Sequence, residues 1–189
     1  MAIDLEKIIF EDLPSTQTPV IAENLNKIQT NIEKPLKILD ERGKRATVYI
    51  SSEVSNSYEN QYANVPFNSF KSMTDKLTFD SQNKTIIIGE DINNIQIEGF
   101  VNIKTSANVD FYGLYIHKND TFIGETFYDT SKVEYNYYNL YCKIANIDVK
   151  KGDIIKMSVR TIGTTSVSNQ TFIGNSKGTM TALNIEIID

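Results

Sequence analysis

The feature that most constrains this chain is a change in the period of its apolar residues. Between residues 20 and 39 they recur at helical spacing, as Ile21, Leu25, Ile28, Ile32, Leu36 and Leu39; from about residue 65 onward they recur at strand spacing. A helix buries one stripe of its surface and a half-buried strand buries one face, so the two parts need different partners. The expectation is a mainly β protein: an N-terminal arm and a short, coiled-coil-like α-helical stalk, followed by an antiparallel β-sandwich of jelly-roll type.

The helical part has a well-marked start. Thr18 offers a capping hydroxyl, and Pro19 suits the first helical position, where its missing N–H would be unpaired anyway. Ile21, Leu25, Ile28 and Ile32 then fall on one stripe, with Glu23, Asn24, Asn26, Lys27, Thr30 and Asn31 around it. A helix over 19–34 has about 16 residues and a length of roughly 24 Å at ~1.5 Å per residue. Pro35 is expected to end or kink it, with one or two further turns over 36–42 before Gly43. A helix this short is marginal alone in water, so the stripe packs on the chain's own β domain or on copies of itself in a parallel bundle. Isoleucine at both seam positions favours three strands over two.

The β part is read as an incoming strand followed by a head. Residues 46–50 have strand character and 51–60 are polar enough for a loop, so 44–63 read as a linker and incoming strand between an N-terminal segment, 1–43, and a head, 64–189. Strands at 76–79 and 85–88 flank a hairpin connection. Residues 95–103 alternate, with Phe100 the odd aromatic on the polar side, and 111–117 are apolar on both faces, as in a strand covered on both sides. Turns at 119–120 and 150–153 precede further strands; in the second of these Ile155, Met157 and Val159 face inward. With strands at 140–147 and 180–188, the count is about eight or nine.

Composition removes several function classes. The net charge is −5, and Lys34, Lys37, Arg42, Lys44 and Arg45 are the only local concentration of positive charge, too little for a phosphate-backbone binder. Nucleic acid is therefore not an expected partner. No run approaches the ~20 apolar residues that span a bilayer, so membrane insertion is not expected. The first six residues carry acids where a secretory signal carries Lys or Arg, so the expected place of synthesis is a cytoplasm. Cys142 is the only cysteine, which excludes an intramolecular disulfide and a CxxC metal site. No cofactor or metal is implied.

Catalytic residues are equally sparse. His117 is the only histidine and sits in the most apolar strand, where packing is the expected role, and no Gly-x-Ser-x-Gly elbow accompanies it. Cys142 reads as a small buried hydrophobe. Glu90, Asp91, Glu98, Glu125, Asp129 and Glu134 leave open a glycosidase carboxylate pair, although no spacing singles out two of them. The expectation is a protein that is not an enzyme. One stretch, 127–139, concentrates Tyr with Asn, Asp and Lys in a loop-like composition. Tyr135, Tyr137 and Tyr138 could there form a carbohydrate- or protein-recognition surface, or pack on the sheet or at a subunit seam.

Two resemblances extend these readings. Residues 13–28, LPSTQTPVIAENLNKI, closely resemble an N-terminal motif of tail-fibre and baseplate-associated proteins from phages and prophages of Gram-positive bacteria. Pro14, Ser15, Thr16, Thr18, Pro19, Ala22, Asn24, Leu25 and Asn26 match it, and Ile21 stands where a polar residue is common. That resemblance implies virion attachment, docking to other virion proteins, and assembly in a bacterial host cytoplasm. The C-terminal part is similar to the trimeric jelly-roll heads of tumour necrosis factor and complement-type globular domains. The residues that carry this are Phe111, Tyr112, Gly113, Leu114, Tyr115 and Ile116, and the Gly152-Asp153 turn after Lys151.

The second resemblance implies a homotrimer with the aromatic strand at its three-fold axis. Ile21, Leu25, Ile28, Ile32, Phe111 and Tyr115 would then serve oligomerisation or docking. The head would bind a host cell-surface glycan or protein; a purely structural connector or decoration protein is the alternative.

Overall fold

The computed structural model describes residues 22–56, 62–105, 109–130, 137–162 and 170–188. The chain divides at Gly43 into two units, one carrying the helix and the other, Gly43–Ile188, carrying the described strands.

Helix α1 spans Ala22–Glu41. It runs through Pro35, so the proline does not end it, and its last residue lies two before Gly43. Proline removes one N–H donor and crowds the carbonyl of Asn31, but the apolar stripe continues through Leu36 and Leu39, giving the next turns a reason to stay helical. Gly43 has φ +78°, the left-handed conformation that suits glycine after a helix end. Ile28 and Ile32, four residues apart on one face, are each 56% exposed. The Thr18-Pro19 start, the N-terminal arm and Ile21 lie outside the described residues, and Leu25 lies within α1.

The second unit holds two antiparallel sheets. The described strands are β1 (Arg45–Tyr49), β2 (Val54–Asn56), β3 (Tyr62–Asn64), β4 (Ser69–Ser72), β5 (Leu77–Asp80), β6 (Thr85–Ile88), β7 (Ile92–Lys104), β8 (Phe111–Lys118), β9 (Thr121–Asp129), β10 (Tyr137–Val149), β11 (Ile154–Ile162), β12 (Gln170–Phe172) and β13 (Ala182–Ile187). In the first sheet β10 pairs along β7, β13 and β12 also pair with β7, and β1 and β4 extend beyond β13. The second sheet runs β5-β6-β11-β8-β9, with β3 also paired to β11.

Several expectations change here. Residues 44–63, read as a linker and incoming strand, contain β1, which is paired on both edges by β13 and β4, and β2, which pairs with β12. β1 matches the incoming strand, and β2 lies where a loop is expected. The described strands exceed eight or nine because β2, β3 and β12 have three residues each and β4 has four, too few to show a period. The stretch 127–139 is not one loop: Phe127, Tyr128 and Asp129 end β9 and Tyr137 opens β10.

The core lies between the sheets. Ile95, Ile97, Val101, Ile103, Leu140 and Ile185 from the first sheet meet Ile86, Ile88, Leu114, Ile116, Met157 and Val159 from the second, all essentially inaccessible. Each such side chain contributes ~1.5–3 kcal/mol relative to exposure. This layer holds the sandwich together without a disulfide, since Cys142 is a free thiol buried in it. Turns are locally pinned. Asp80 accepts the backbone N–H groups of Gln82 and Asn83 at 2.9 and 3.0 Å, closing the β5–β6 hairpin. Asp153 accepts the Lys150 N–H at 2.9 Å, with Gly152 at φ +90° between them.

Candidate functional site

The outward face of the second sheet carries most of the ring chemistry of the molecule's described part. Its geometry starts at Gly113. On β8, Tyr112, Leu114 and Ile116 point into the core, so Gly113, Tyr115 and His117 point out. A Cβ at Gly113 would lie 2.6 Å from the Tyr115 ring, so the absent side chain is what lets that ring lie over residue 113. Register then places Arg160, Ser158 and Lys156 of β11 opposite Gly113, Tyr115 and His117 on one side. Phe127, Glu125 and Phe122 of β9 stand opposite the same three residues on the other side.

Phe122 reaches this face through a bulge. It is five residues from Phe127, and a regular strand would put the two rings on opposite faces; the register shift between Ile116 and His117 leaves Ile123 unpaired and restores Phe122 to the outside. Tyr62 of β3, opposite Arg160, completes the cluster. The Tyr115 ring meets Tyr62 edge-on at 4.8 Å, Phe122 at 5.2 Å and Phe127 edge-on at 5.7 Å. Such pairs are worth ~0.5–1.5 kcal/mol each beyond area burial. Burial, then the neighbouring Tyr62 hydroxyl, pushes the Tyr115 phenol up to about 12.

Beneath Phe122 lies His117, with ring centroids 4.7 Å apart. His117 Nε2 is 2.7 Å from Ser158 Oγ, and both residues are buried. Burial, with Lys156 second, lowers the His117 pKa from its ordinary value and keeps the imidazole neutral. A Ser–His pair is the start of a nucleophile arrangement, but this one is roofed by rings, and a serine 1% exposed has no approach for a substrate. Its geometry holds the sheet face together. The sequence places His117 as a packing residue, as observed; the Ser158 partnership carries no sequence signal, because the two residues are 41 positions apart.

The sequence-derived site residues are distributed differently from their expectation. Tyr115 is 2% exposed, already covered by its own chain's rings, so it does not present a three-fold contact as it stands; Phe111, at the start of the same strand, is partly exposed. Tyr138 is a correction: at 6% exposure its ring packs on Tyr112, 5.0 Å away, and faces the core, not a ligand. Tyr137, the next residue back, faces outward on the first sheet at 60% exposure, with Lys104 over its ring at 5.6 Å. Tyr135 and Glu134 lie outside the described residues.

The carboxylates do not form a catalytic pair among the described residues. Glu98 is on the first sheet, 2.9 Å from Lys143, and Asp91 is 3.2 Å from Lys150 in a turn. Glu125 and Asp129 share a face of β9, but four residues of strand separate them by about 13 Å. That exceeds the ~5–9.5 Å separation of glycosidase pairs. Among the described residues no three His, Cys, Asp or Glu side chains gather to hold a metal. Cys142 is buried, and that burial raises its thiol pKa, away from a reactive thiolate. No described helix is long and apolar enough to cross a membrane.

The sequence matches no protein-family model, and no curated protein matches it. Solved structures are similar in fold. Eiger TNF from S. frugiperda aligns with a TM-score of 0.54 at 12% identity, over 78% of this chain and 94% of that one. Murine APRIL aligns with TM-scores of 0.50 at 12% identity (its pH 8.5 crystal structure) and 0.51 at 10% identity (pH 8.0). These alignments cover 75% and 76% of this chain and 98% of APRIL in each case. At such identities the likeness is one of fold: the β unit is a jelly roll of tumour-necrosis-factor type.

Proposed function

We propose that this chain is a non-enzymatic bacteriophage virion protein, a tail fibre or related appendage. It docks to other virion proteins through its N-terminal segment and presents a homotrimeric jelly-roll head for host-surface attachment. One observation carries the reading: α1 lies in a unit of its own and leaves Ile28 and Ile32 more than half exposed on one face. Two exposed isoleucines on a helix of 20 residues, which is marginal in isolation, call for an apolar partner. The helix begins within the segment that resembles the phage attachment motif, and that supports docking and self-association over a freely solvated helix.

The head's fold supports the same reading. A tumour-necrosis-factor type jelly roll agrees with the sequence resemblance to trimeric heads, and the dispersed carboxylates and sealed Ser–His pair favour binding over catalysis. Assembly in the bacterial host cytoplasm follows from the virion assignment.

Antibody labelling of intact particles, paired with adsorption of the purified chain to bacterial cells, tests it. The expected results are label at the distal end of an appendage and saturable adsorption. Label hidden beneath neighbouring proteins, with no adsorption, would overturn attachment and leave a structural connector.

A further inference from the structure

On the outward face of the second sheet a cavity of about 300 Å³ opens between the β5–β6 and β8–β9 turns. Its origin is a change of neighbour. Ile154 and Ile155 of β11 pair with β6, whereas Ser158, Val159 and Arg160 pair with β3. Between these two pairings Lys156 faces outward into the gap, with Asn64 at the end of β3 on one side and Thr85 at the start of β6 on the other. The β5–β6 turn adds Asp80 and Asn83, and the β8–β9 turn adds Asp120.

We propose that this cavity binds a neutral saccharide. A sugar presents adjacent hydroxyls, each donor and acceptor, together with apolar C–H faces; a site for it needs short planar amides and carboxylates beside an apolar surface. The lining supplies amides from Asn64 and Asn83, carboxylates from Asp80 and Asp120, an ammonium from Lys156 and a hydroxyl from Thr85. The volume is at the small end of the ~300–1,000 Å³ of ligand pockets, which suits one or two sugar rings. Among the described residues the apolar surface of the lining comes from Ile154, and no aromatic ring lines the cavity; the nearest in register is Phe122. It follows Asp120 by two residues, is exposed, and packs on His117, the register partner of Lys156.

Part of the polar set is paired within the chain. Asn83 Nδ2 donates to Asp80 Oδ2 at 2.7 Å, and Lys156 Nζ lies 3.0 Å from Asp120 Oδ1. Among the described residues no side-chain hydrogen bond within the chain occupies Asn64 or Thr85.

The same contacts select against other ligands. A cation would meet the Lys156 ammonium and two carboxylates that already have partners. An anion would meet two carboxylates against a single ammonium.

This inference rests on reading the head as a surface-recognition module and names the chemistry it recognises. The test is titration of the full-length chain by calorimetry and saturation-transfer NMR. The probes are neutral sugars (glucose, galactose, rhamnose, N-acetylglucosamine and their disaccharides), galacturonate, polyglycerol phosphate and Ca²⁺. The expected result is binding of at least one neutral sugar, unchanged by a chelator. Asn64→Ala and Asp120→Asn, each with an unchanged melting temperature, should weaken it by roughly tenfold or more. Asp120 is fully exposed beyond its lysine contact, so Asp120→Asn does not disturb folding and keeps the test decisive if Asn64→Ala misfolds.

No neutral sugar bound, binding only of the anionic or Ca²⁺ probes, or neutral-sugar affinity untouched by Asp120→Asn overturns the proposal. Adsorption to cells separates this inference from the attachment reading. Cells bound equally by wild type and Asp120→Asn remove the cavity and keep attachment, whereas sugars bound through the cavity with no cell adsorption remove attachment and keep the cavity.

Discussion

The two sheets solve the same problem on their outward faces in opposite ways. Outside the first sheet, Arg45 pairs with Glu186 at 2.7 Å, Lys143 with Glu98 at 2.9 Å, and Thr47 Oγ1 donates to Asn184 at 2.7 Å. Water wets that face and charged pairs sit in it. Outside the second sheet, Tyr62, Phe122 and Phe127 cover Tyr115 and His117, so β8 is buried on both faces. The difference shows how far one glycine and one bulge can carry a sheet: Gly113 lowers the Tyr115 ring onto the strand, and the Ile123 bulge brings Phe122 over it.

Substitutions at matched positions on the two faces break this comparison most sharply. Tyr115→Ala empties the centre of the aromatic layer and should cost ~3–5 kcal/mol, as large aromatic truncations in cores do. Tyr141→Ala, on the exposed side of the first sheet, should cost less than ~1 kcal/mol. Urea unfolding of both variants measures the gap; equal losses would mean the two faces are not different in kind. Gly113→Ala should be intermediate, at ~1–3 kcal/mol, because the new Cβ collides with a ring that Tyr62, Phe122 and Phe127 prevent from moving aside.

The aromatic face should also respond to pH. Burial opposes protonation of His117, so its folded pKa lies below its unfolded value of 6.5. Its stabilising contribution is therefore complete above 6.5 and is lost as the pH falls below that value toward and through the lowered folded pKa. Asp80, Asp91 and Asp153, held below their ordinary 3.8 by backbone N–H bonds, lose theirs only at still lower pH. Stability measured from pH 7.5 to 4.5 should fall for the wild type and stay flatter for His117→Gln; parallel curves would detach the effect from this residue. The smallest effect belongs to the wet face. Arg45→Ala should change stability by under ~1 kcal/mol, and that difference should shrink in high salt.

Sequence period tells these faces apart only in part. β7 and β11 alternate cleanly, and their inward sets, Ile95, Ile97, Val101 and Ile103 against Ile155, Met157 and Val159, are legible at once. The two-sided burial of β8 is legible too, because Tyr112, Leu114 and Ile116 alternate with Gly113, Tyr115 and His117 without a charged residue. Phe122 is not, because a bulge reverses the parity that assigns faces. Tyr138 is misassigned for a different reason: Tyr and Asn composition suggests a loop where β10 already runs, and within a strand Tyr137 and Tyr138 must point opposite ways. The cavity is invisible to any local pattern. Residues 64, 80–85, 120 and 156 meet only because β11 exchanges β6 for β3, and that exchange is a property of pairing over long sequence separation.

Oligomeric state bears on the proposed function most directly, since that proposal has the head as a homotrimer. Light scattering of the full-length chain at micromolar concentration should give three times the 21.4 kDa chain mass. Ile28→Asp together with Ile32→Asp should lower that mass or its stability to dilution. A monomer at 21.4 kDa across that range would contradict the account.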